Sequence, residues 1–269
     1  MAKYIAGFIG CGNMGGPMMA AVSKILDSKD IAVCGKNKER ADAYAATLGV
    51  NSTSKEDIAA NAKWIFLGVK PQILSEILAE IKPILNKRED EYIIVSMAAG
   101  KKITAVSDVI GTDNAIIRIM PNTPVTIGEG MISYCCNDKV TPENIADFMS
   151  VMQYTGKIVR LDESLMDAGC SVAGCGPAFV YMFIDALAKG GEACGLDRED
   201  ALYLAAQTVY GSAGLLMSGK DDPQILRDRV CSPGGSTIEG VKSLQSDDFE
   251  QIVIKAVKES NRRNIELGK

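Results

Sequence analysis

The stretch Tyr4-Ile5-Ala6-Gly7-Phe8-Ile9-Gly10-Cys11-Gly12-Asn13-Met14-Gly15 decides the fold. An apolar strand pattern from Tyr4 to Ile9 runs straight into a turn with glycine at 10, 12 and 15, and a helical pattern follows. Such glycines permit a tight turn, let the backbone approach a pyrophosphate and seat the helix against the strand, while the helix start offers unpaired N–H donors. A glycine run of this form is weak evidence alone; its strand-turn-helix setting strengthens it. Gly10, Cys11, Gly12, Asn13, Met14 and Gly15 are therefore candidate phosphate-binding positions, against the plainer reading of a glycine turn with no ligand.

Further along the chain, Ile31–Cys34, Trp64–Val69, Ile93–Ser96 and Ile116–Met120 are short apolar runs separated by amphipathic stretches. That alternation predicts a parallel sheet wrapped by helices. Met131–Cys135 and Lys157–Leu161 extend the sheet, with a helix from Pro142 to Met152 between them. After about Asp162 strand runs vanish, and Leu165–Cys194, Arg198–Ser218 and Phe249–Leu267 read as helices. The expected organisation is α/β, with a sheet domain over 1–163 and an all-helical domain over 164–269. The helices carry small residues such as Ala186, Ala188, Gly190, Gly191 and Ala205, and their apolar surface predicts a core shared between chains.

Composition narrows the chemistry. With 269 residues, 47% hydrophobic and 23% charged, the chain reads as a soluble two-domain protein; no leader and no run near eighteen apolar residues is seen. The net charge of -5 is spread in mixed-sign stretches, so neither nucleic acid nor membrane is an expected partner. Of eight cysteines, Cys11, Cys34, Cys170, Cys175 and Cys194 lie in small-residue or apolar settings and none has CxxC spacing, which predicts free thiols in a reducing, cytoplasmic compartment and no thiolate metal site. The chain has no histidine, which removes His-based acid/base, nucleophilic and metal chemistry together.

At the end of the second strand a fold that prefers NAD would carry a carboxylate; this chain has Gly35-Lys36-Asn37-Lys38-Glu39-Arg40. Lys36 and Asn37 suit a 2'-phosphate, hence NADPH over NADH, or else they belong to the solvated start of a helix with Lys38 and Arg40 as bystanders. Gly68, Val69, Lys70 and Pro71 end one later strand, and Met97, Ala98 and Ala99 follow another. Both loops are expected to line the cofactor, since ligands of open parallel sheets sit beyond the strands' carboxyl ends. Lys70 could equally cap a surface helix. Asn122 either orients the nicotinamide or caps a turn.

In the helical half, Cys231-Ser232-Pro233-Gly234-Gly235-Ser236-Thr237 leads into a helix beginning near Thr237. Backbone N–H groups and two hydroxyls at a helix start suit a small carboxylate; an ordinary Ser/Thr cap is the alternative.

Taken in order, Gly-Phe-Ile-Gly-Cys-Gly-Asn-Met-Gly, Gly-Val-Lys-Pro-Gln, Met-Ala-Ala-Gly, Arg-Ile-Met-Pro-Asn-Thr-Pro, Gly-Cys-Gly-Pro-Ala and Ser-Pro-Gly-Gly-Ser-Thr resemble the pyrroline-5-carboxylate reductase family over nearly the whole chain. The resemblance implies an N-terminal Rossmann-type domain, a C-terminal helical dimerisation domain, a homodimer assembled further to a decamer, and reduction of 1-pyrroline-5-carboxylate to L-proline. It implies cofactor contacts at Gly10 to Gly15, Lys36, Asn37, Gly68 to Pro71, Met97 to Ala99 and Asn122. Thr237 becomes the catalytic candidate, and Ser236, Gly235, Gly234, Val230 and Glu163 become substrate neighbours. Two departures stand out: Cys175 replaces a usual Ser, and the loop after the second strand lacks the usual Arg or Ser. A hydroxyacid dehydrogenase of the same plan would need a catalytic lysine in the helical half, where Lys189 is the candidate.

Overall fold

The computed structural model describes residues 2–219 and 221–268, and the chain forms two compact units. One runs to Cys175 and takes back the segment from Ser260; the other is Gly176–Glu259. The boundary expected after Glu163 lies upstream of that division.

Among the described residues eight strands make one sheet: β1 (Tyr4–Ile9), β2 (Ile31–Cys34), β3 (Asn51–Ser52), β4 (Ala62–Leu67), β5 (Ile93–Ser96), β6 (Ala115–Met120), β7 (Gly130–Cys136) and β8 (Gly156–Arg160). Their order is β3-β2-β1-β4-β5-β6-β7-β8. The connecting helices are α1 (Gly15–Val22), α2 (Lys38–Leu48), α3 (Lys55–Asn61), α4 (Leu74–Leu85), α5 (Ile103–Ile110) and α6 (Pro142–Val151). Both sheet faces are covered, which is why the central strands read as continuous apolar runs. Phe8, Trp64 and Phe66 pack on one face, and Ile9, Ile65 and Leu67 on the other. Phe8 and Phe66, paired in register on β1 and β4, stack with ring centroids 4.5 Å apart.

One strand departs from the expected parallel sheet. β7 runs antiparallel to β6, with Met120 opposite Ser133. The link Pro121–Glu129 is too short for the dozen or so residues that a parallel crossover requires, so the chain can only turn back. β7 and β8, joined through α6, are parallel again. Local signals fix the helix starts: Asn37, Ser54 and Thr141 accept from backbone N–H groups at the heads of α2, α3 and α6, and Thr141 forms a capping box with Asn144.

The first unit continues into α7 (Met166–Gly169) and a π-helical turn over Cys170–Gly174. Beyond it the chain is helical, as expected: α8 (Gly176–Ala193), α9 (Arg198–Ser218), α10 (Pro223–Val230), α11 (Ser236–Ser246) and α12 (Phe249–Gly268). α8 and α9 are joined by a turn at Gly195 (φ 100°), and their seam is built of Ala188, Ala201 and Ala205. Those three alanines are the only buried hydrophobics among the described residues of 176–259, whereas Tyr181, Met182, Tyr203, Leu204, Tyr210, Leu215 and Met217 are exposed. A unit that buries its small residues and exposes its large ones has no self-sufficient core. By length and composition the helical run Glu163–Ala193 is also apolar enough to cross a membrane, with only 11% of its most apolar window buried within the chain.

Candidate active site

Strand order reverses between β1 and β4, and the glycine turn sits at that switch point. Gly10 has φ 107° and donates its N–H to the Cys34 carbonyl at 2.8 Å. A Cβ on Gly10 would lie 2.6 Å from the Gly68 carbonyl oxygen, and one on Gly15 only 2.1 Å from that of Gly10. These two positions admit glycine alone. A Cβ on Gly12, by contrast, would meet nothing within 4 Å and would project into open space. Met14 occupies the N-cap position of α1 and no side chain caps that helix; Gly16 donates its N–H to the Gly12 carbonyl at 3.0 Å and Pro17 has none, which leaves the glycine turn and Gly15 to offer backbone donors. Cys11 is buried beside the turn and Asn13 is exposed.

A cleft of about 700 Å³ opens from Ile9 and Gly10 past Cys34, Gly35 and Lys36 to Val69. Ser52, Thr53, Ser54, Lys55, Glu76 and Glu80 also line it. Lys36 has no ion-pair partner among the described residues, whereas Lys38 is paired with Asp42 at 2.7 Å and Lys55 with Glu80. Lys36 is thus the wall lysine left free for an anion. The Asn37 side-chain oxygen caps α2 by accepting from the Arg40 N–H at 2.8 Å. The wall of hydroxyls was not foreseen. β3 is two polar residues long, so only the Ser54 cap before α3 could have marked it.

Gly68 donates its N–H to the Ile9 carbonyl, and Met97 donates to that of Leu67. Both loops are therefore extensions of the sheet. Lys70 is exposed at the N-cap of a short 3-10 turn that opens with Pro71. Met97 and Ala98 are buried, and Ala99 is exposed. The Asn122 amide ties loops together: its nitrogen donates to the Ala173 carbonyl at 3.0 Å and its oxygen accepts from the Met131 N–H at 2.8 Å.

Glu163, expected among the substrate neighbours, makes two contacts. Its carboxylate accepts from the Ile103 N–H at 2.6 Å and lies 3.5 Å from the Arg118 guanidinium, both within the sheet unit. The other substrate candidates fall in the helical unit. Val230 ends α10 and is exposed; Gly234 has φ 73°; Gly235 is the N-cap of α11. No side chain caps α11, and Ser236 and Thr237 are exposed, their hydroxyls without protein partners among the described residues. Lys189, the rival catalytic lysine, is an exposed residue paired with Asp185 at 2.7 Å.

All eight cysteines are free. Burial pushes the thiols of Cys34 and Cys135 up to about 12 and that of Cys170 up to about 11. They stay protonated near neutrality and are structural rather than nucleophilic. A thiol-disulfide reagent at mildly alkaline pH is expected to leave these three unmodified in the folded protein, and mass mapping would check this.

A doubly wound sheet, an uncapped glycine turn at its switch point and a lysine-bearing cleft mark a dinucleotide-binding unit, and the relatives are NAD(P)-dependent oxidoreductases. Residues 5–100 match a family model described as NADP oxidoreductase, coenzyme F420-dependent, and residues 163–267 match one described as pyrroline-5-carboxylate reductase dimerisation. The pyrroline-5-carboxylate reductase of Escherichia coli is 37% identical over 100% of both chains. Among solved structures, the Plasmodium falciparum pyrroline carboxylate reductase with NADP bound has a TM-score of 0.88 at 30% identity over 100% of both chains. That of the Coxiella burnetii pyrroline-5-carboxylate reductase is 0.91 at 28% identity over 99% of both. The chain belongs to the pyrroline-5-carboxylate reductase family.

Proposed function

We propose that this chain reduces 1-pyrroline-5-carboxylate to L-proline, the last step of proline biosynthesis, with NADPH as preferred donor and NADH as the alternative. The supporting observation is a pair of uncapped helix starts, α1 and α11, each behind a glycine turn and each suited to an anion. The first suits a pyrophosphate and the second a small carboxylate.

The residues fit the cofactor. Gly10 and Gly15 bring the turn against neighbouring backbone, Gly12 leaves the space beyond it open, and Lys36 stands free in the adjoining cleft. When bound, NADPH supplies the hydride. The chain's own work is to hold and orient: Gly234, Gly235 and Ser236 fix the substrate carboxylate, and the Thr237 hydroxyl donates a hydrogen bond or proton at the ring nitrogen. Protonation makes the imine carbon electrophilic, and no metal or histidine is needed. Turnover of pyrroline-5-carboxylate with each cofactor, followed as loss of reduced-nicotinamide absorbance, tests the reading; no turnover with either would overturn it.

Cofactor choice rests on Lys36 in place of a carboxylate. Lys36→Glu is expected to lower kcat/KM with NADPH by about tenfold or more while sparing NADH, in line with one charge-assisted surface contact. Equal losses with both cofactors would remove Lys36 from the 2'-phosphate.

The assembly we read is a homodimer through the helical unit, with the decamer as its larger form. The match of residues 163–267 to a dimerisation family supports a protein partner, rather than a bilayer, against the apolar run Glu163–Ala193. The free cysteines support a reducing, cytoplasmic setting.

A further inference from the structure

We propose that Glu163, oriented by Arg118, is a positioning residue that fixes the loop Met97–Gly100 for cofactor binding; this rests on the cofactor reading above. The loop leaves β5 and must stop in a defined place before α5 begins at Ile103. Locally it is closed by one long backbone bond, from the Lys101 N–H to the Ala98 carbonyl at 3.3 Å. Lys102 holds the N-cap position of α5 without a side-chain cap of its own. The missing acceptor comes from sixty residues downstream, where the Glu163 carboxylate accepts from the Ile103 N–H at 2.6 Å.

That carboxylate is itself held. Arg118, on β6, has a side chain only 1% exposed; one guanidinium nitrogen lies 3.5 Å from Glu163 and another donates to Asp167 at 3.1 Å. A buried guanidinium demands such partners, so Arg118 fixes where Glu163 can sit. Asp167 is anchored in turn, because its carbonyl accepts from the Asn264 amide at 3.3 Å and from the Ser171 hydroxyl at 2.8 Å. On the loop's other side, Gly100 (φ 73°) meets the backbone of Gly268 so closely that a Cβ on it would lie 3.0 Å from the Gly268 Cα. The loop is therefore clamped from two directions by residues other than the proposed cofactor contacts Met97 to Ala99.

The test compares Glu163→Ala with Glu163→Gln. The amide oxygen of Gln can still accept from Ile103, whereas Ala removes the acceptor altogether. NADPH dissociation constants come from calorimetry, and hydrogen exchange follows the peptide covering residues 97–104. In Glu163→Ala exchange should quicken there and NADPH should bind about tenfold more weakly, the scale of a lost cap, with most of the affinity restored in Glu163→Gln. In steady state the KM for NADPH should rise while kcat stays within about twofold. Unchanged NADPH affinity in Glu163→Ala, with faster exchange or a lower melting temperature, would reduce the residue to a structural cap and overturn the proposal. So would a rise confined to the KM for pyrroline-5-carboxylate, which would make Glu163 a substrate neighbour after all. Failure of the unaltered protein to bind NADPH would overturn the cofactor reading itself and this proposal with it, and the wild-type titration separates that case from the other two.

Discussion

Thr237→Val is expected to lower turnover by about 10²- to 10⁴-fold, the range for losing a group that donates a proton or holds one in the transition state. Valine keeps the shape of threonine, and the side chain is exposed at the second residue of α11, so neither folding nor NADPH binding should change. The loss should fall on kcat, the mark of an interaction strongest in the transition state. Ser236→Ala should instead raise mainly the KM for pyrroline-5-carboxylate, since a hydrogen bond to the carboxylate serves ground and transition states alike. The chain has no histidine, and Lys189 is already paired with Asp185. Near wild-type turnover in Thr237→Val would mean that the proton comes from water or from an already protonated imine, and Thr237 would be left as a residue of the helix start.

The second large effect is expected on assembly. Met182 and Tyr203 are each 73% exposed on the helical unit, among large apolar side chains that a lone chain leaves in water. A stable dimer needs about 800 Å² buried per partner, and side chains of this kind supply it. Replacing both by Glu in the full chain places two carboxylates where a partner would have to desolvate them, weakening association by about 10²-fold or more. Sedimentation velocity should show the unaltered chain as a dimer or larger, and the double variant as a monomer or as protein lost from solution. A sharp monomer boundary for the unaltered chain at micromolar concentration would contradict the shared core.

Much of the sheet was legible because its central strands are buried on both faces and therefore spell apolar runs; Ile31–Cys34 and Ile93–Ser96 were read to the residue. β3 was not, since two polar residues carry no period, and with it went the hydroxyl wall of the cleft. The reversal at β7 was open to inference from the length of Pro121–Glu129, but hydrophobicity says nothing about strand direction. In the site, the glycine turn was legible because steric demands are local. The contacts of Glu163 were not, because Ile103 and Arg118 are distant in sequence and only the folded chain brings them to it. The partners of Asn37 and Asn122 show the same gap: that one side chain caps a helix and the other joins two loops appears only in the folded chain.

The return of the chain at Ser260 to the sheet unit bears on how the protein is made. Every strand from β1 to β8 is synthesised before residues 176–259, yet Asn264, which holds Asp167 and Ser171, is added only after them. The nascent sheet must therefore wait, formed but not fully tied down, while the whole helical unit is translated. Completion of the nucleotide-binding unit is a late event in vectorial synthesis, and a ribosome stalled within α9 would carry a sheet whose Asp167 and Ser171 lack that amide partner.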